Sequence, residues 1–258
     1  MKIGFIGTGN MAEALIKGLL SKKVFHKKNI IGFDINKKRL TSLKRKYGIQ
    51  VTTELNQIVS DAHIILLAVK PQQMADALNT LCTQLKTNQL VISIAAGLPL
   101  SFYTQRLGKK IKIVRVMPNT PAMVNLGVAA FLATKNCSLT DKKQVTQIFN
   151  AVGLCFEVKK ESLLDSVTAI SGSGPAYVYL FAQAMIQSAI KLKLNPTQSK
   201  LMVIQTLLGA TSLLQQSNES PQELIKKVAS KGGTTEAALL SFSSSHFEAI
   251  IDKAIQQA

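Results

Sequence analysis

Short apolar runs alternate with longer amphipathic stretches over roughly the first 158 residues. The runs Ile3–Ile6, Ile30–Phe33, Ile64–Val69, Leu90–Ala95, Ile111–Met117 and Val128–Ala133 are of strand length. Several are apolar almost throughout, the pattern of strands covered by helices on both faces. Strands alternating with helices in this way predict an α/β fold with a doubly wound, mainly parallel sheet.

Beyond Glu157–Lys160 the strand-like runs stop and helical stretches follow one another. Each opens on a start signal: Pro175 after Ser173 and Gly174, Asn195 before Pro196, and Ser220 three residues ahead of Glu223. The last pair predicts a capping box, and proline suits a first helical turn. The change of pattern predicts a boundary near residue 160, with an α/β domain over 1–160 and an all-α domain over 161–258. The helix expected over Pro175–Leu194 is apolar on every side in its first turns, through Tyr177, Val178, Tyr179, Leu180 and Phe181. Such a helix must be buried all round. A domain of this size cannot do that alone, so a second subunit is expected against it.

Candidate chemistry starts at the first strand. Gly7-Thr8-Gly9-Asn10-Met11-Ala12 follows it and opens the first helix. Gly7 permits a tight turn, Gly9 lets the backbone approach a pyrophosphate, and Ala12 stands where only close packing is required. The free amides and the positive dipole end of the helix suit phosphates. Strand, turn and helix in this order form the fingerprint of a Rossmann domain binding a nicotinamide dinucleotide. Asp34, at the end of the second strand, either binds the ribose hydroxyls, which favours NADH, or caps the next helix. Asn36-Lys37-Lys38-Arg39 follows at once and suits the 2′-phosphate of NADPH, so either cofactor is expected.

Three further segments fall at the carboxyl ends of expected strands: Ala68-Val69-Lys70-Pro71, Ala95-Ala96-Gly97 and Met117-Pro118-Asn119-Thr120-Pro121. Ligands of open α/β sheets bind outside those ends. Small residues there admit a flat nicotinamide ring, and Asn119 is placed to orient a polar group. In the helical half, Ser230-Lys231-Gly232-Gly233-Thr234-Thr235-Glu236 precedes a helix expected from Ala237 onward. A Gly-Gly turn feeding a helix start exposes consecutive amides, which seat a carboxylate or simply cap the helix.

Composition narrows the setting. Apolar residues make up 47% and charged residues 17%, as in a globular protein. No apolar run approaches the roughly 20 residues of a membrane span. Met1–Gly7 run straight into a strand, so no signal peptide is expected. Cys82, Cys137 and Cys155 are odd in number and widely spaced, unlike metal or disulfide sets, and are expected as reduced core residues in the cytoplasm. The net charge of +17 comes from 31 basic against 14 acidic residues. No interleaved aromatics accompany the lysines, so they read as a solvated surface attracting an anionic cofactor, with no nucleic-acid or membrane partner.

Taken in order, Gly4–Ala12, Ala68–Gln72, Ser93–Gly97, Arg115–Ala122, Asp165–Tyr177 and Gly232–Thr235 resemble pyrroline-5-carboxylate reductase along nearly the whole chain. The resemblance implies reduction of the ring imine of 1-pyrroline-5-carboxylate by NADPH or NADH, the step that makes proline. It implies a Rossmann domain and a helical domain that interlocks a homodimer, often assembled further into a decamer. Cofactor contacts carry over to Gly7, Thr8, Gly9, Asn10 and Met11, to Asp34 and Asn36 at the ribose, to Ala68, Val69 and Lys70, and to Ala95, Ala96 and Gly97. Substrate contacts carry over to Glu161, Gly232, Gly233, Thr234 and Thr235, with the Thr235 hydroxyl on the ring nitrogen. Lys231 stands where members usually have proline, Gln183 replaces a common glutamate, and position 34 is often a small polar residue.

Two other readings compete. A dehydrogenase of the 3-hydroxyacid type relies on a lysine in its helical half, and Lys191 and Lys193 lie outside every motif. A non-catalytic dinucleotide-binding protein would have no use for the second anion seat at Gly232–Thr235.

Overall fold

A computed structural model describes residues 1–258. They form two compact units, Met1–Gly172 and Ser173–Ala258.

The first unit holds one eight-stranded sheet: β1 (Ile3–Ile6), β2 (Ile30–Phe33), β3 (Gln50–Thr52), β4 (Ile64–Leu67), β5 (Leu90–Ser93), β6 (Lys112–Pro118), β7 (Gly127–Ala133) and β8 (Gly153–Glu157). The spatial order is β3-β2-β1-β4-β5-β6-β7-β8. All pairs are parallel except β6 with β7, where Met117 lies opposite Ala130. The expected doubly wound, mainly parallel sheet is therefore present. Its order reverses between β1 and β4, which creates the crevice where such sheets bind ligands.

Alternate residues of the central strands serve two cores, as the period of two requires. Ile3, Phe5, Ile64, Leu66, Leu90 and Ile92 face one side, packing with Leu15 and Leu19 of α1 (Asn10–Ser21) and Phe149 of α6 (Leu139–Asn150). Ile6, Ile65, Leu67 and Val91 face the other. There they meet α3 (Leu55–Asp61), α4 (Pro71–Leu81) and α5 (Leu100–Leu107) through Ile58, Met74, Leu78 and Tyr103. α2 (Lys37–Tyr47) buries only Leu40 and Leu43, in keeping with its lysine-rich sequence. The unit ends in α7 (Ser162–Val167) and a π-helical turn, Thr168–Gly172.

Two short strands escape the apolar-run pattern. β3 and β8 are the two sheet edges, where β3 offers Gln-Val-Thr and β8 leaves Leu154 and Phe156 exposed. An edge strand needs no continuous apolar run. One expectation fails at the cysteines: Cys137 is buried and Cys155 half-buried, but Cys82 is exposed at the end of α4.

The second unit is wholly helical: α8 (Gly174–Lys191), α9 (Pro196–Gln216), α10 (Pro221–Val228), α11 (Thr234–Ser244) and α12 (Phe247–Gln256). All three start signals behave as expected, with Pro175 in the first turn of α8. Asn195 Oδ1 accepts from the Thr197 and Gln198 amides at 2.9 and 3.3 Å, and Ser220 with Glu223 closes a capping box. Only Ala189, Ser199 and Val203 are buried in these five helices. Tyr179, Leu180, Leu201 and Leu240 each expose more than 60% of their surface. Single soluble subunits rarely leave so much apolar surface uncovered.

Candidate active site

The turn after β1 is shaped by its glycines. Gly7 has φ +88°, and a Cβ there would lie 2.8 Å from the carbonyl carbon and oxygen of Ala68. The loops after β1 and β4 thus touch across the reversal in strand order. A Cβ at Gly9, by contrast, would meet nothing within 4 Å, so it would project into open space above the turn. α1 starts there without a side-chain cap, and its first intrahelical bond is from the Glu13 amide to Gly9 O at 2.9 Å. The amides of Asn10, Met11 and Ala12 are left for an outside acceptor. A bare backbone cradle with three free amides fits a pyrophosphate, so these residues suit the dinucleotide the fingerprint implies.

A polar lattice fixes this turn from beneath. Asp34 Oδ2 accepts from the Thr8 amide at 2.8 Å and from the Thr8 hydroxyl at 2.7 Å, while Oδ1 accepts from the Asn36 amide at 2.9 Å. Partial burial raises the Asp34 carboxyl, but the bonds from Asn36 and Thr8 outweigh it and hold the group below the usual carboxylate range. Asp34 does not cap α2; Asn36 does, accepting from the Arg39 amide at 3.2 Å. Arg39 donates from Nε to Thr8 O at 2.7 Å and from Nη2 to Gly9 O at 3.4 Å, and it pairs with Glu13. Lys46 and Tyr47 bond the same Glu13 carboxylate at 2.8 Å each. Lys46 above all, with Tyr47 and Arg39, brings Glu13 down to about 2 against the opposing effect of burial.

The remaining rim is built in the same way. Lys70 precedes Pro71 at the start of α4 and is exposed, with Ala68 and Val69 half-buried behind it. After β5, Ser93 Oγ meets Tyr103 OH at 2.6 Å and accepts from the Ala95 amide at 3.3 Å. This pins a turn whose Ala96 and Gly97 are exposed, Gly97 at φ +75°. The next helix, α5, begins at Leu100, whose amide donates to Glu161 Oε1 at 2.7 Å. Arg115, buried in β6, donates to that same oxygen at 3.0 Å and to Asp165 at 3.4 Å. Asn119 is buried with both ends of its amide engaged, donating to Ser171 O at 3.0 Å and accepting from the Val128 amide at 2.8 Å.

In the second unit, Gly232 has φ +73° and Gly233 sits at the N-cap of α11 with no side-chain cap. The helix begins at Thr234, three residues before the expected Ala237. Ala237 is merely the first residue whose amide finds an intrahelical partner, Gly233 O at 3.2 Å. The amides of Thr234, Thr235 and Glu236 remain free for an anion. Glu236 reaches back to the Gly232 amide at 2.7 Å, which stiffens the glycine turn.

Comparison with known proteins agrees with this layout. Residues 161–258 match the family model described as pyrroline-5-carboxylate reductase dimerisation, and residues 2–97 match NADP oxidoreductase coenzyme F420-dependent. The chain is 38% identical to pyrroline-5-carboxylate reductase of Pseudomonas aeruginosa, over 100% of this chain and 94% of that one. This chain belongs to the pyrroline-5-carboxylate reductase family. Pyrroline-5-carboxylate reductase 2 of Bacillus subtilis is also 38% identical, over 99% and 92% of the two chains. Among solved structures, the pyrroline-5-carboxylate reductase of Coxiella burnetii superposes with TM-score 0.94 at 33% identity, covering 99% of this chain and 95% of that one. The Plasmodium falciparum pyrroline carboxylate reductase, solved with NADP bound, gives 0.89 at 34% identity, covering 100% and 95%.

Within this family member, the sequence assigns no role to Arg115 or Glu13 and sets Arg39 among cations for a 2′-phosphate, whereas all three organise the rim from below. Their bonds join residues tens of positions apart, and no local pattern announces them. The histidines take no part in it. His26 and His63 precede β2 and β4, at the opposite edge of the sheet from the glycine turn, and His246 starts α12.

Proposed function

We propose that the chain reduces 1-pyrroline-5-carboxylate to proline with NADPH or NADH, the last step of proline biosynthesis. The observation that carries this reading is the presence of two bare helix starts in one chain, a glycine turn at the reversal of the sheet and a second at Gly232–Thr235. One suits a pyrophosphate and the other a small carboxylate.

On this reading residues 1–160 hold the dinucleotide. The turn Gly7–Met11 takes the pyrophosphate: Asn10 and Met11 offer free amides, Gly7 and Gly9 give the backbone its close approach, and Thr8 is held beneath by Asp34. Asp34 and Asn36 take the ribose, and Ala68–Lys70 with Ala95–Gly97 line the nicotinamide side, backed by Asn119. When bound, the nicotinamide supplies a hydride. Residues 161–258 hold the substrate: the free amides of Thr234 and Thr235 receive its carboxylate, with Gly232 and Gly233 shaping the turn, the Gly233 amide being bonded to Ser230 O. The ring imine is basic, and its protonated form is already an electrophile, so the chain needs no strong general acid. The Thr235 hydroxyl oxygen accepts from the iminium N–H and holds the ring in place, and positioning is the main contribution to rate. Glu161 acts through the Leu100 amide and Arg115, which steady the loop at Ala95–Gly97.

The exposed apolar helices α8 and α9 support a homodimer, with dimers assembling further into a decamer, and no helix is long and apolar enough to cross a membrane. We place the enzyme in the cytoplasm, without a nucleic-acid partner. Incubation with 1-pyrroline-5-carboxylate and either dinucleotide tests the reaction. Proline should accumulate in step with the oxidised nucleotide, and nucleotide binding without proline would favour the binding-only reading. Sedimentation at micromolar concentration tests assembly, and a monomer would contradict it.

A further inference from the structure

The polar lattice around Thr8 also bears on which dinucleotide the chain accepts. This step rests on the reading that the first unit binds a nicotinamide dinucleotide. Asp34 is held at the carboxyl end of β2, beside the glycine turn, by three donors: the Thr8 amide, the Thr8 hydroxyl and the Asn36 amide. A carboxylate offers about four acceptor positions, so one remains open. That position suits a ribose hydroxyl, which donates.

A 2′-phosphate would instead set a second anion against a carboxylate that cannot turn away. Cations follow directly in the sequence, but the structure directs them elsewhere. Arg39 Nε and Nη2 are taken up by Thr8 O, Gly9 O and the Glu13 carboxylate, so the guanidinium is held against the turn. Lys37 and Lys38 line a shallow surface depression with Thr41, Ser42 and Arg45 along α2, and neither Asp34 nor Asn36 borders it. Asn36 Oδ1 is committed to capping α2.

We infer that this chain prefers NADH to NADPH, with Asp34 as the residue that sets the preference. Thr8 locks the carboxylate in place, and Arg39 is withheld from the phosphate by Glu13. The exposed lysines of α2 raise the affinity for any anionic dinucleotide without choosing between the two.

Isothermal titration of the full-length enzyme with NADH and with NADPH tests this without any turnover. NADH should bind with a Kd lower by about tenfold or more, the scale of one unfavourable charge contact. Asp34→Asn keeps an acceptor but removes the charge, and it should narrow that ratio several-fold. Thr8→Val weakens the latch and should loosen both dinucleotides together, leaving the ratio nearer the wild-type value than Asp34→Asn does. Equal affinities in the wild-type enzyme, or tighter NADPH, would overturn the inference while leaving the reductase reading intact. Tight, selective NADH binding with no turnover of 1-pyrroline-5-carboxylate would support the inference and remove that reading. Binding of neither dinucleotide would overturn both.

Discussion

Arg115 and Glu161 meet at 3.0 Å, and the same Glu161 oxygen accepts from the Leu100 amide at 2.7 Å. One carboxylate oxygen therefore ties a buried strand cation to the start of the helix that follows the Ala95–Gly97 loop. Glu161→Gln keeps an acceptor for Leu100 but leaves Arg115, only 5% exposed, with Asp165 as its sole carboxylate. We expect a stability loss of about 1–3 kcal/mol, the range for disturbing a buried hydrogen-bonded charge. We also expect a several-fold rise in KM for the dinucleotide, with KM for the imine little changed. A rise confined to the imine KM would make Glu161 a substrate ligand instead.

The glycine turn separates fold from function. At Gly7, alanine would have to adopt φ +88° with its Cβ 2.8 Å from backbone atoms of Ala68. Gly7→Ala should cost stability, about 1–3 kcal/mol by thermal unfolding. Gly9→Ala meets no protein atom within 4 Å and should leave the melting temperature unchanged. It should nonetheless weaken dinucleotide binding by an order of magnitude or so, because its methyl group occupies the space the pyrophosphate requires. Unchanged affinity in Gly9→Ala would place the dinucleotide elsewhere.

How much of this was readable in the sequence depends on what each residue contacts. Central strands such as Ile64–Leu67 are covered on both faces, and that demand is written as an unbroken apolar run. The edge strands Gln50–Thr52 and Gly153–Glu157 face no such demand and left no comparable trace. Turns announced themselves where glycine is required, at Gly7, Gly97 and Gly232. The role of Asp34 did not. Its partner Thr8 is 26 residues away, and a ribose ligand and a helix cap look alike along the chain. The sequence predicts α11 only from Ala237 because the first helical turn makes no amide bonds of its own, and Gly232–Thr235 therefore reads as a turn.

Glu13 gives a pH test of the lattice. Its carboxyl sits at about 2 when folded against an ordinary 4.5, so its contribution to stability is complete above about pH 4.5. The contribution fades as the pH falls from there toward 2. In melting curves, Glu13→Gln should therefore be less stable than wild type at pH 7, and the gap should shrink steadily below pH 4.5. A gap independent of pH would mean that the carboxylate charge contributes nothing.

Thr235→Ala addresses the substrate seat. The hydroxyl is assigned to a charged iminium N–H, and losing such a bond typically lowers kcat/KM about 10–100-fold. Dinucleotide affinity should stay unchanged, and Thr235→Ser should recover most of the rate. Full kcat/KM in Thr235→Ala would remove this residue from the chemistry.

The most direct measurement is the loss of reduced-nucleotide absorbance on adding 1-pyrroline-5-carboxylate, followed in parallel with NADH and NADPH. Rapid oxidation dependent on both enzyme and imine is the predicted result, faster with NADH at limiting nucleotide. No oxidation with either nucleotide, from a protein that binds one of them, would contradict the assignment of a reductase.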